Sequence, residues 1–392
     1  MNAAGVEPKE QPPLAGIRVI EFCQVAAGPF CGMLLADMGA EVVKVERPEG
    51  DGLRQWPPLT DGFSENFASL NRNKKSVVLD LKTPDGQAHA KQLCLSADVV
   101  IENNRPGVMQ RLGLGYAALA EQNPSLVYCS LSAFGQTGPR AEEGGFDLTV
   151  QGMAGVMSVT GEPGGAPVKC GVPISDFSTG LYGAFAVAAV LNRVRAGGPG
   201  EHIDISLQGA SLGIAALQTS EYFGTGQSPA KLGSAHPRNA PYQAFSAADG
   251  YFVMAAGNDG LWHKVCAVVA RPELATDQRF ASTALRAANQ GVLKDCLEAH
   301  FRTAPVADWV RRFAEVGVPC GPINDYEVAL NDPQVLASGF IQDITLPSGA
   351  RTKTFASPIR LGDRATKVRA NPPALGADTD AVLAELAERA PS

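Results

Sequence analysis

The sequence predicts an α/β protein with a large, open, largely parallel Rossmann-like sheet domain and a smaller α+β domain. Three observations predict it. A strand, helix, strand succession occupies "GIRVIEFCQVAAGPFCGMLLADMGAEVVKVERP". Further β-rich runs then alternate with helical stretches. A Gly-, Pro- and Ser-rich crossing near residue 230 leads into a differently patterned segment.

Taken in order, "IRVIEF" and "EVVKVE" flank an amphipathic "FCGMLLADMGA" preceded by a loop at Gly28-Pro29. Such a βαβ unit implies a right-handed parallel crossover. "KSVVLDL", "ADVVIEN" and "SLVYCSLSAF" supply further strands, with helical stretches at "PDGQAHAKQLCLS" and "YAALAEQN". "GVPISDFSTGLYGAFAVAAVL" then sets one acid, Asp176, before a long apolar helix-like run, where a carboxylate commonly accepts hydrogen bonds from the first turn. The crossing is "GTGQSPAKLGSAHPRNAPYQAF". Beyond it, "YQAFSAADGYFVMAAGN" reads as a hairpin turning at Ala248-Asp249-Gly250, and "LWHKVCAVV" and "VADWVRRFAEVG" have helical spacing. The expected division is 1–225 for the large domain, 226–328 for the small one, and 329–392 as a return to the first.

The 392 residues include 45% hydrophobic and 19% charged, ordinary for a globular enzyme, and the net charge of −7 argues against a general nucleic-acid surface. "MNAAGVEPKEQPPLAG" lacks a basic segment followed by an apolar run, so it reads as a disordered tail and not a secretory signal. The apolar run Leu181 to Leu191 is shorter than the roughly 20 residues of a membrane helix. No membrane association and a cytoplasmic location are expected. None of the eight cysteines forms a CxxC pair, so free thiols and no metal site are expected. The first strand is followed by "CQVAAGPFCG", without the G-x-G-x-x-G of a dinucleotide site, which leaves NAD or FAD a minor alternative.

Several ordered segments resemble the family III CoA-transferases, which include formyl-CoA, carnitine-CoA and succinyl-CoA:dicarboxylate transferases. They are "PLAGIRVIEF" with "AAGPFCGMLLADMGAEVVKVERP", "NRNKKSVVLDLKTPDG", "DVVIENNRPGVMQRLGLGY", "SAFGQTGP", "GVPISDFSTGLYGA" and "GVPCGPIN". The resemblance implies an interlocked homodimer and places the family's nucleophilic aspartate at Asp176. It also implies a reaction. Asp176 attacks an acyl-CoA to give a mixed anhydride, and CoA thiolate attacks that anhydride to give an aspartyl-CoA thioester. An incoming acid reverses the two steps, so the CoA thioester is a substrate and no prosthetic group is needed. Oxyanion donors are expected in segments near Gly28 or Gly233.

The resemblance assigns CoA contacts to Arg47, Lys74, Lys75, Leu79, Asn103, Arg105 and Arg111. A family lysine shortly before "FD" is absent, with Gly144 and Gly145 in its place. The same superfamily contains α-methylacyl-CoA racemases, which need a histidine where this chain has Phe146; phenylalanine exchanges no proton, so that alternative is disfavoured. Asp147 either orients the site or caps a helix. "LGSAHPRNAPYQAFSAADGYFVMAAGND" resembles the dicarboxylate-handling members. Arg238, with His236 beside it, is therefore the expected partner of a second substrate carboxylate. A catalytically silent CoA-binding protein remains the other alternative.

Overall fold

The computed structural model describes residues 11–389, and its contacts divide the chain into two compact units. Among the described residues the first comprises 11–156, 169–226 and 333–389; the second comprises 157–168 and 227–332. The short segment 157–168, which the sequence reading leaves in the large domain, thus belongs with the second unit. The expected disordered tail lies partly outside the described residues. Its last part is a turn, in which Leu14 N donates to Met38 O at 2.9 Å.

The first unit is built on six parallel strands: β1 (Arg18–Phe22), β2 (Glu41–Glu46), β3 (Lys74–Val78), β4 (Val99–Glu102), β5 (Val127–Ser132) and β6 (Glu201–Ser206). Their order across the sheet is β3-β2-β1-β4-β5-β6, with registers such as Ile20↔Val43 and Ile20↔Val100. Chain direction across the sheet therefore reverses between β1 and β4, and a crevice opens there at the carboxyl ends of the strands. Sheets buried on both faces need apolar residues on both, and "RVIEF" and "VYCSLS" are buried throughout.

The helices that matter here are α1 (Ala27–Asp37), α2 (Pro84–Leu95), α3 (Val108–Arg111), α4 (Asp147–Met153), α5 (Ile174–Arg195), α6 (Leu207–Ile214) and α7 (Ala216–Thr225). One core packs Ile20, Val43, Val100 and Tyr128 under Leu93 of α2; the other packs Val19, Val99 and Cys129 under Leu35 of α1 and Val187 of α5. At 22 residues, α5 is longer than its apolar run suggests, and by length and composition it is the one described helix able to cross a membrane. It instead lies against α1 at van der Waals range: a Cβ on Gly180 would stand 2.7 Å from Ala27 O, so only glycine permits this approach.

Residues 376–379 cover the outer edge of β3. Ser76 N donates to Asp378 Oδ2 (2.9 Å) and Val78 N to Thr379 Oγ1 (3.0 Å), after which the last helix of the chain, Thr379–Arg389, packs on β3. The edge strand is thereby hydrogen-bonded without a seventh strand.

The second unit contains the antiparallel strands β7 (Tyr242–Ser246), β8 (Tyr251–Ala255) and β9 (Cys320–Pro322), with the predicted hairpin in register Ser246↔Tyr251. Against them pack α8 (Asp259–Val268), α9 (Gln290–Phe301) and α10 (Val306–Glu315). Phe245, Phe252, Phe301, Trp309 and Phe313 form an aromatic core, with Phe301 meeting Phe252 edge-on at 5.0 Å. The chain then returns to the first unit and closes with α11 (Thr379–Arg389).

Candidate active site at the carboxyl edge of the sheet

The loop after β1 is held from three directions. Gln24 N donates to Asn103 Oδ1 and Asn103 Nδ2 donates to Gln24 O, both at 2.9 Å. Val25 stands at φ 65°, a costly conformation for a β-branched residue, and its N–H donates to the Asp51 carboxylate at 3.2 Å. Asp51 in turn pairs with the buried Lys44 ammonium at 2.9 Å. Lys44 also donates to Cys23 O (2.6 Å) and Glu21 (3.2 Å). Glu21 holds Lys74 on its other oxygen at 2.8 Å. A buried cluster of two lysines and two acids therefore fixes the loop that leads into α1.

Asp176 faces this loop from the first turn of α5, which begins immediately after Pro173. Pro173 is the N-cap, with its ring fixing φ at −70° and its carbonyl accepting from Phe177 N at 3.1 Å. The turn is braced beneath: Ser211 Oγ of α6 donates to Ser175 Oγ at 2.8 Å, and both side chains are buried. A helix N-terminus favours a carboxylate anion. Burial first, and the negative charge of Asp147 second, outweigh that effect and push the Asp176 carboxyl up to about 7.

The cleft around Asp176 encloses about 340 Å³, lined by the 24–27 loop, Asn103–Arg105, Ser132, Ala133, Gly145, Phe146 and Leu207. A second pocket of about 150 Å³, lined by Arg47, Leu79, Asp80, Met109 and Leu112, shares Gln24 and Asn104 with it. Together they make a path along the β1/β4 crevice, from an apolar slot beside Arg47 to a shielded carboxyl group. Another cavity, of about 850 Å³, lies at the other end of α1, where Asp37 is bound by Arg72 and Asn73.

The predicted residues divide between these places. Leu79 and Arg47 line the slot, Arg47 exposed with its Nε on Gly50 O at 3.0 Å. Asn103 and Arg105 line the Asp176 cleft, with both ends of the Asn103 amide held by the Gln24 backbone. A side chain on Gly144 would stand 2.9 Å from the Arg105 Nη2, so the loop at Gly144-Gly145 lies directly against the Arg105 guanidinium. Arg111 is exposed at the end of α3 and lines neither pocket.

Lys74 and Lys75 are not brought together with these residues. They begin β3, at the amino edge of the sheet, whereas the path lies at the carboxyl edge. Lys74 is fully buried on Glu21, Pro29 O and Asn71 Oδ1, and Lys75 pairs with Glu41. Neither ammonium joins the other cations. His236 and Arg238 lie in the second unit, where His236 Nδ1 accepts from Arg238 N (3.1 Å) and Asn239 N (3.0 Å). The imidazole thus shapes the loop that presents Arg238.

Sequence reasoning missed Gln24, Asn104 and Asp51. Gln24 and Asn104 each stand two residues past the ends of β1 and β4, and residues just past strand ends flanking a switch point were the available signal. Gln151 was also missed: wholly buried, it donates to Asp147 Oδ2 (2.7 Å) and accepts from Cys170 N (2.8 Å).

The strand order and the shielded carboxyl at the switch point define the class, a doubly wound α/β protein with a half-buried acidic side chain in its switch-point cleft. The chain belongs to CoA-transferase family III, whose family model matches residues 14–379. It is 40% identical over 387 residues to a succinate–glutarate CoA-transferase of Agrobacterium fabrum, covering 97% of each chain. It is 36% identical to the succinyl-CoA:glutarate CoA-transferase of Homo sapiens, covering 95% of this chain and 86% of that one. Over 85% of this chain and 86% of the other it is 40% identical to an acetyl-CoA:oxalate CoA-transferase of Acetobacter aceti. A solved CaiB/BaiF family protein from Brucella suis superposes with a TM-score of 0.85 at 41% identity, covering 96% of this chain and all of that one.

Proposed function

We propose that this enzyme moves CoA from succinyl-CoA to a second dicarboxylic acid through covalent intermediates on Asp176. The observation that carries the reading is the shielded Asp176 carboxyl at the inner end of a path whose outer end offers Arg47 and an apolar slot. The relatives' names supply the substrate class, since those named above act on succinate, glutarate or oxalate.

In this reading Leu79 packs against adenine, and Arg47, Arg105 and Arg111 meet the phosphates, while Asn103 holds the loop over the thioester. The Asp176 carboxylate attacks the thioester carbonyl, the C–S bond breaks, and CoA leaves as thiolate. The thiolate then attacks the Asp176 carboxyl carbon and expels the donor acid, leaving aspartyl-CoA. Backbone N–H groups near Gly28, in the first turn of α1, are the donors this reading assigns to the developing oxyanion. Thioester energy is conserved at each step, so the site must exclude water.

Arg238 holds the acceptor's distal carboxylate, because an unpaired charge entering a closed site is costly. The protein works as a homodimer, interlocked as the family resemblance implies. Dimer formation accounts for Phe185 of α5 and Leu217 and Phe223 of α7, which stand 73%, 61% and 81% exposed. Light scattering should give twice the chain mass. Eight unpaired thiols support a cytoplasmic setting.

The deciding experiment incubates the enzyme with succinyl-CoA, adds hydroxylamine, and reads intact and peptide masses. A CoA adduct or hydroxamate on Asp176, absent from Asp176→Ala, is expected. Unmodified Asp176 across a panel of acyl-CoA donors, with solvent deuterium entering an acyl chain, would instead establish the racemase. In the same transfer assay, Arg238→Ala should raise the KM of a dicarboxylate acceptor about tenfold or more and leave that of a monocarboxylate nearly unchanged; equal effects would remove Arg238 from the site.

A further inference from the structure

Asp147 opens α4 with both carboxylate oxygens engaged. Oδ1 accepts from Ser175 N, the residue before Asp176, at 3.0 Å, and Oδ2 accepts from Gln151 Nε2 at 2.7 Å. Gln151 is wholly buried, and its own carbonyl accepts from Cys170 N at 2.8 Å. The arrangement clips α4, the approach to α5 and the start of α5 into one unit, and it fixes a carboxylate beside Asp176.

Capping alone does not require a charge in this place. The Ser175 N–H could be met by a serine or asparagine oxygen, as at many helix starts. Among the residues lining the Asp176 cleft, Arg105 is the other charged side chain; the β1 loop offers Gln24, β5 offers Ser132, and α6 offers Leu207. Asp147 is the neighbouring anion that acts on Asp176, in the same direction as burial.

We infer that Asp147 is a positioning residue whose fixed negative charge biases the enzyme toward the aspartyl-CoA thioester. The inference rests on the reading of Asp176 as nucleophile. The net first half-reaction converts acyl-CoA and the Asp176 carboxylate into aspartyl-CoA and a free carboxylate. One C–S bond breaks and another forms, one Asp176 oxygen departs with the acid, and no electron is gained or lost. What differs between the two sides is which carboxylate is ionised. A carboxylate destabilised by burial and by a neighbouring anion is the one better converted to a neutral thioester, whereas the released acid is solvated in water. Each pKa unit of added basicity at Asp176 favours the covalent form about tenfold.

The test equilibrates the enzyme with succinyl-CoA and succinate at a series of ratios at pH 8 and reads the fraction of aspartyl-CoA enzyme by intact mass after a rapid acid quench. For Asp147→Asn, half conversion should need a succinyl-CoA to succinate ratio about tenfold or more above that of the wild type. Asp147→Ser keeps an oxygen for the Ser175 N–H in a smaller side chain, and it should show the same shift if the asparagine variant fails to fold. Gln151→Met breaks the clip but keeps the charge, so its ratio should stay within about twofold of wild type even where its melting temperature falls. A folded Asp147 variant with the wild-type ratio, or a Gln151→Met shift as large as that of Asp147→Asn, would overturn the inference and leave the Asp176 mechanism standing. Absence of any Asp176 adduct in the wild type would instead remove the mechanism itself.

Discussion

Asp176→Asn should lose CoA transfer by about four orders of magnitude or more while becoming more stable than the wild type at pH 8. The loss follows because an amide cannot supply the carboxylate that forms the anhydride. The gain follows from linkage. With its folded-state pKa raised to about 7 from 3.8, Asp176 holds its proton more tightly in the folded protein than in the unfolded chain. Its contribution to stability is therefore fully present below about pH 4 and is lost as pH rises through 7. Partial exposure reduces the gap at pH 8 to about 1–3 kcal/mol, read as a higher melting temperature that converges on wild type near pH 4. Equal melting temperatures at pH 8 would show that the site does not strain this carboxylate. For the same reason, wild-type kcat/KM should climb with pH and level off above about 7, where the nucleophile is ionised.

Glu21→Gln should destabilise the protein by about 3–5 kcal/mol, the cost of leaving a buried charge without its partner. Glu21 is the shared anion of two fully buried ammonium groups, and the exchange puts an amide N–H₂ beside one of them. The two lysines respond in opposite ways. Burial works to lower Lys44, but Glu21 and Asp51 more than offset it and the net shift is upward; burial and the Lys44 charge together leave Lys74 lowered. Lys74 is thus the ammonium more dependent on Glu21. The paired change Glu21→Leu with Lys74→Met removes both charges and should recover most of the loss. Urea midpoints measure both effects, and a loss below about 1 kcal/mol for the single variant would mean that water reaches the cluster. Activity should fall as well, because Lys44 steadies Asp51 and Asp51 holds Val25 at the cleft.

The parallel sheet was legible because its strands are rich in β-branched apolar residues, as in "RVIEF" and "VVIE", and the hairpin of the second unit because Asp249-Gly250 sits between alternating runs. The sixth strand was not assigned: "EHIDIS" alternates at the sheet's edge and is only partly buried. The burial of Lys74 was not legible for a reason of range. "NRNKKS" has the composition of a solvated basic patch, and Glu21, which draws Lys74 inward, lies 53 positions earlier in the chain, two strands away in the sheet. Asp176 could be located from the resemblance, but its environment could not. That environment is made by Asp147 and the 24–27 loop, which reach it from distant segments.

The covering of β3 has a consequence for the order in which the chain is made. Ser76 N finds its acceptor on Asp378, 302 positions later. At about 5–20 residues per second, translation leaves the outer rim of a parallel sheet exposed for roughly 15–60 s before its cover emerges. During that interval a nascent chain presents an unpaired strand to its neighbours on the same messenger.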